Sequence, residues 1–180
     1  EGAPATERTE VWVLFDGETV YVSARCWDSE PDRTVANEMR RDSYAMYGND
    51  TFAVMLDTFY DRRNGFNFMS NPLGGLFDQT ITAERTGNLD WNTVWDVQTT
   101  RFDQGWILEM AIPFKSLRYP QMPAGVPHRW GFQFVREIKE RDRENIVWAP
   151  MSRDVQSFMR QFGVLEGMTD LSTSRNLEFL

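Results

Sequence analysis

Three oxygen-bearing side chains stand close together in D-T-F-Y-D-R-R-N-G: Asp57, Asp61 and Asn64. Carboxylate and amide oxygens are the donors that calcium takes, so this corner is a candidate metal site. Its spacing is not that of a recognised calcium loop, and Arg62 and Arg63 offer a second account, in which the acids are solvated charges neutralised by their neighbours. A nucleophile relay is harder to build. The single histidine, His128, lies in V-P-H-R-W with no nucleophile motif beside it. Glycoside hydrolysis needs two carboxylates flanking a cleft. Glu109, Glu137, Asp78 and Asp96 fall on predicted strands, where pairing with Arg136 or Arg101 accounts for them equally well. The chain is expected not to be an enzyme.

Saccharide binding asks for flat aromatic faces against the C–H surface of a pyranose, and a few fixed polar groups for its hydroxyls. Aromatic residues make up 14% of the 180-residue chain, with seven Trp. Trp27, Trp95, Trp106, Trp130 and Trp148 read as core or core rim; Trp12 and Trp91 do not, and Trp91, in the polar stretch L-D-W-N, is a spare platform. Net charge is -8, so the field repels phosphate backbones and nucleic acid is excluded as a partner. No apolar run approaches the roughly 18 residues of a membrane-spanning helix. The one cysteine, Cys26, lies in the strand pattern V-Y-V-S-A-R-C-W-D and reads as a buried structural thiol.

The elements that would hold these groups are short strands. Residues 49–82 predict a meander: strand 51–56, corner 57–65, strand 66–70, turn 71–75, strand 76–82, broken by R-N-G, N-P and G-G. The first strand is apolar on both faces (Phe52 to Leu56) and should be covered from both sides. The second alternates, with Phe66 and Phe68 inward and Asn67 and Met69 facing solvent or a ligand. Ahead of the meander, 10–16 and 19–28 form a hairpin at Asp16-Gly17. Next come 33–41, a short helix or edge segment, and 42–49, a loop with two tyrosines. After it come a polar connection at 84–92, a hairpin of 93–102 and 105–112 closed by Pro113, and one helical turn at 114–117. Strands follow at 130–137 and 145–149, then a loop at 150–159 and a last strand at 161–165. Short strands at turn-punctuated intervals argue for a sandwich or barrel.

The succession T-E-V-x-V-L-F-D, V-Y-V-S-A-R-C-W-D, D-T-F-A-V-M-L-D, G-W-I-L-E-M-A-I-P-F-K-S-L, W-G-F-Q-F-V-R and F-G-V-L resembles the family 9 carbohydrate-binding modules and the wider DOMON-like sandwiches. The inserts D-R-R-N-G-F, N-P-L-G-G and W-A-P-M-S-R-D resemble the form that precedes a region like an outer-membrane β-barrel in bacterial proteins. The resemblance implies an all-β fold, an antiparallel β-sandwich of jelly-roll or immunoglobulin-like type, as a single domain over 1–180. It also implies that the chain starts after the family's opening strand, and that S-R-N-L-E-F-L leads into a further region of the same polypeptide.

As function, the resemblance implies a non-catalytic module that binds oligosaccharide or polysaccharide, linked to polysaccharide recognition or breakdown. Such a module would be exported: periplasmic, outer-membrane associated or extracellular. Its aromatic platforms fall on Tyr47, ahead of Asp50, and Phe158, ahead of Phe162-Gly163, with orientation from Asn67, Gln156 or Arg160. Two departures favour a rival, a structural or plug-like domain of an outer-membrane protein: Ala53 stands where sugar-binding members carry Glu, and Met69 where they carry Arg. The same resemblance raises structural calcium at Asp57, Asp61 and Asn64, and haem held by Met69 and His128.

Overall fold

Asp16 turns the first hairpin. Its Oδ1 accepts from the backbone N–H groups of Glu18 (2.7 Å) and Thr19 (2.8 Å), and its own N–H donates to the Thr19 carbonyl (3.1 Å). The turn joins β1 (Thr9–Phe15) to β2 (Thr19–Trp27). A computed structural model describes residues 3–84, 86–140 and 144–171. Nine more strands follow in it: β3 (Thr51–Asp57), β4 (Gly65–Ser70), β5 (Phe77–Thr82), β6 (Thr86–Asn88), β7 (Asp96–Phe102), β8 (Gly105–Pro113), β9 (His128–Ile138), β10 (Glu144–Val147) and β11 (Gly163–Met168). All pairings are antiparallel.

Two sheets result, and the fold is a β-sandwich. The smaller has the order β1-β2-β8-β7. The larger runs β10-β9-β3-β4-β5-β6, with β11 also on β9. Because β10 pairs with Val135 to Ile138 and β11 with His128 to Phe132, these two short strands lie end to end along one edge of β9. Alternation fills the space between the sheets. Val20, Val22, Ala24, Cys26, Trp106, Leu108, Met110 and Ile112 face Phe52, Val54, Leu56, Phe66, Phe68, Trp130, Phe132 and Phe134 in one cluster. As the apolar run of β3 predicts, its other face is covered too, Ala53 by Met46 and Phe77, Met55 by Met159 and Phe162.

A buried guanidinium ties the two sheets together. Arg136, on β9, is 1% exposed. Its guanidinium donates to the Arg8 carbonyl (3.2 Å), Thr9 Oγ1 (3.1 Å) and the Trp27 carbonyl (2.7 Å), fastening the ends of β1 and β2 to the opposite sheet. Cys26 is fully buried beside it, and burial pushes its thiol up to about 12, in keeping with a structural cysteine.

Several expectations move. Residues 34–41 form neither helix nor strand; a 3-10 turn at Pro31–Arg33 precedes them. The loop at 42–49 contains a 3-10 turn, Tyr44–Gly48, and the polar connection contains β6. The helical turn expected at 114–117 is a 3-10 turn at Phe114–Ser116, and the last strand starts two residues later than predicted. Trp27 is not core. It is half-buried on the outer face of the small sheet, under the guanidinium groups of Arg8 (4.6 Å to the ring centroid) and Arg25 (5.4 Å).

His128 carries a testable consequence. It is buried at the start of β9, edge-on to Tyr119 (5.3 Å) and near Trp130 (6.2 Å), and burial holds its pKa below the ordinary 6.5. The unfolded chain therefore takes up the proton first. Stability from the neutral ring is complete above about pH 6.5 and is lost as pH falls through that value toward the lower folded pKa. Urea unfolding of the wild type should weaken between pH 7.5 and 5.5, and a His128→Phe variant should lose that slope. Parallel pH profiles for the two would refute the assignment.

Candidate functional site

A buried amide network sets the loop before β3. Asn49 Oδ1 accepts from the N–H groups of Asn37 (2.7 Å) and Glu38 (3.0 Å) and from Asn71 Nδ2 (2.9 Å), while its Nδ2 donates to Asn37 Oδ1 (2.9 Å) and the Ala45 carbonyl (3.3 Å). Asn71 Oδ1 in turn accepts from Leu73 and Gly75. Ser43 caps the 3-10 turn through Ala45 N–H and donates to Glu38. The Arg40 guanidinium and N–H, with the Ser43 hydroxyl, hold the Glu38 carboxyl well below the usual carboxylate range. Arg41 bonds the Asp78 carboxylate, which also accepts from Trp95 Nε1 (2.9 Å); burial pushes the Asp78 pKa up.

This scaffold delivers Tyr47 to the outer face of the large sheet. Its ring stands edge-on to Phe77 of β5 (5.3 Å) and stacks with Tyr44 (6.5 Å), and 43% of the residue stays exposed. Gln79 Nε2 donates to its hydroxyl at 3.4 Å. Burial raises the phenol's pKa.

Phe158 reaches the same face from the other end. It is half-buried, edge-on to Phe162 (5.0 Å), and packs with Ile81, Met159 and Met55. Arg62 donates to the Phe162 carbonyl at 2.8 Å, and Gln161 binds Ser152 and Ser157, so its loop is tied on both sides. Gly65 is required beneath it: a Cβ there would meet the Leu56 carbonyl oxygen at 2.7 Å and the Met159 methyl at 2.9 Å. Phe77 and Ile81, the anchors under the two platforms, are four residues apart on one face of β5, about 13 Å at 3.3 Å per residue.

Between the platforms runs a cross-strand row, Gln133, Met55, Asn67 and Gln79. Gln133 is committed, its amide bonding the backbone of Trp148 and Ala149. Asn67 is different. It is 4% exposed, and its Oδ1 is buried with no hydrogen-bond partner among the described residues. Asn67 and Met69 were expected to face solvent or ligand. Both are instead nearly covered, because the 44–48 and 158–162 segments fold back over them.

Tyr47, Phe158 and Asn67 thus share one face. Gln156 is exposed in the Phe158 loop, and Arg160 pairs loosely with Glu84 at 3.7 Å. Trp91 does not join them. It packs on Phe66 (5.1 Å) and Phe68 (6.0 Å), against the core on the opposite face of β4.

The calcium trio does not fit an ion. Asp57 is fully buried, with its two oxygens accepting from Asp61 and Arg62 N–H, and burial raises its pKa. Asp61 accepts from Arg63, Asn64 N–H and Asn64 Nδ2; these bonds outweigh burial and keep its pKa low. The acids serve as turn caps, and no cluster of three or more His, Cys, Asp or Glu suited to a metal occurs among the described residues. Haem fails on geometry too: Met69 points to the outer face, with Met46 and Phe77, and His128 into the space between the sheets.

The strand carboxylates are dispersed, Glu109 and Asp96 on the small sheet, Asp78 buried, and Glu137 paired with Lys139. Two hollows of about 290 and 280 Å³ lie away from Tyr47, at the β7–β8 turn, sharing Pro31 and Asp103. The Asn49–Asn71 network and the Gln79 and Gln133 props carried no sequence signal beyond turn and strand patterns.

Among known proteins, residues 2–157 match the profile of the family described as Carbohydrate family 9 binding domain-like. No curated protein sequence matches. Among solved structures, a protein of Bacteroides uniformis ATCC 8492, provisionally described as carbohydrate-binding, superposes with a TM-score of 0.70 at 13% identity, covering 91% of this chain and 79% of that one. A family 9 carbohydrate-binding module of Caldicellulosiruptor kristjanssonii in complex with cellotriose gives 0.61 at 18% identity, covering 99% and 82%. Its glucose complex gives 0.61 at 18%, covering 90% and 77%. With most of its length matched by the family profile, the chain belongs to the Carbohydrate family 9 binding domain-like family.

Proposed function

We propose that the chain is a non-catalytic carbohydrate-binding module whose site is the outer face of the large sheet, between Tyr47 and Phe158. One observation carries the reading: two half-exposed rings from separate loops flank a buried, unpaired acceptor, Asn67 Oδ1. A buried acceptor without a donor is costly, and a sugar hydroxyl entering between the covering 44–48 and 158–162 segments supplies one. Two ring contacts of about 4.5–7 Å each would span the roughly 13 Å between the anchors with one pyranose between them. Family membership supports this class of ligand, as do the cellotriose and glucose named with the C. kristjanssonii structures. The module works outside the cytoplasm, in polysaccharide recognition or breakdown, beside a further region of the same polypeptide.

A second reading rests on Ala53 and Met69, which bury an apolar cluster where polar partners for a sugar are expected. It makes the domain a structural or plug-like part of an outer-membrane protein, with no affinity for saccharide.

Calorimetric titration with xylo- and cello-oligosaccharides separates the two. Saturable binding by the wild type is expected, and Tyr47→Ala should weaken it by about 30-fold or more, the 2 kcal/mol of an anchoring aromatic. A wild type that binds neither series leaves the structural reading standing.

A further inference from the structure

The small sheet presents its own aromatic face, on the opposite side of the molecule from Tyr47. Trp12 and Leu14 on β1 and Tyr21 on β2 point outward, and all three are well exposed. Register aligns them in two rows. Trp12 lies across from Ser23, Ser23 from Glu109 and Glu109 from Gln98, a line of about 14 Å at 4.8 Å per strand. Beside it run Leu14, Tyr21, Ala111 and Asp96. Tyr21 is pinned, its hydroxyl donating to Asp16 Oδ2 at 3.1 Å, and Ala111 leaves room over the ring.

We propose that this face is a second binding surface, for the flat side of an extended, insoluble polysaccharide. Its aromatic rings give stacking area, and Ser23, Gln98 and Glu109 in the adjoining row give donors and acceptors for hydroxyls. Size argues against a protein occupant. Exposed fractions of 40–61% on side chains of about 150–250 Å² leave about 300 Å² of apolar patch, below the roughly 450 Å² of apolar surface within the ~800 Å² that a stable protein partner covers per side. Charge argues against a second copy, since two chains of net charge -8 repel, whereas a neutral polymer does not. The choice of saccharide as ligand class rests on the Tyr47 reading; the position of the surface does not. With sites on opposite sheets, one module holds a polymer surface while the other face stays free for a soluble saccharide.

Retention on microcrystalline cellulose and on insoluble xylan, beside calorimetry with the soluble oligosaccharides, tests this. Trp12→Ala and Tyr21→Ala should each lower retention on one polymer by about tenfold, with unchanged melting and unchanged affinity for soluble ligand. Tyr47→Ala should do the reverse. The proposal is overturned if wild type is retained by neither polymer, if Trp12→Ala is retained like wild type, or if Tyr47→Ala alone removes retention. It is equally overturned if sedimentation shows a wild-type dimer that Trp12→Ala dissolves. Loss of retention in Trp12→Ala alongside a wild type silent to soluble sugars would uphold this surface and sink the Tyr47 reading.

Discussion

Arg136→Met is expected to cost about 3–5 kcal/mol of stability, since three hydrogen bonds from one charged donor are lost together. For a domain of this size that is a fall in Tm on the order of 10 °C. The methionine fills much of the volume but cannot donate. The carbonyls of Arg8 and Trp27 and the Thr9 hydroxyl, which take the three guanidinium bonds, are left facing an apolar side chain. Urea denaturation measures the loss, with exposed Arg153→Met as a control expected within about 0.5 kcal/mol of wild type. A loss below about 1 kcal/mol would mean that water replaces the bonds and that the two sheets are held by their apolar faces alone.

Asn49→Ala is expected to cost about 3 kcal/mol and to weaken saccharide binding by at least about tenfold, under conditions where the variant remains folded. Asn49 is 1% exposed, so removing its amide strands the backbone N–H groups of Asn37 and Glu38 and one N–H of the Asn71 amide, whose other bond to the Glu38 carbonyl remains. The 3-10 turn carrying Tyr47 also loses its tie at the Ala45 carbonyl. Affinity falls because the platform must then be ordered by the ligand rather than before it arrives. Equilibrium unfolding and calorimetry on one preparation give both quantities. An Asn49→Ala variant with lowered stability but wild-type affinity would show that Phe77 alone positions the ring.

The strands were legible because their signals are local. D-G between alternating runs marks the β1–β2 turn, and a strand apolar on both faces, β3, has to be the covered middle of a sheet. Alternation also separated Phe66 and Phe68 from Asn67 and Met69. It could not show that Asn67 and Met69 are covered, since the covering segments come from residues 44–48 and 158–162, far along the chain. Trp27 was legible in principle: it shares parity with Tyr21 and Arg25, not with the buried Cys26. Trp91 lies in a loop without parity, so its choice of sheet face had no local signal. The Tyr47 and Phe158 positions came from resemblance, and the Asn49–Asn71 network from neither source, because an N-P-L-G-G turn looks the same with or without a buried amide behind it.

Strands β10 and β11 occupy successive stretches of a single neighbour, β9. Residues 148–162 therefore leave and rejoin the sheet on the same rail, and the excursion bearing Phe158 is a cassette whose endpoints are fixed independently of its contents. Doubling the length of such a flexible excursion costs only about 0.6 kcal/mol in closure entropy. Divergence, or an engineer, has latitude to exchange residues 149–157 and retune what the face accepts, provided Met159 and Phe162 stay in place over Met55 and Ile81.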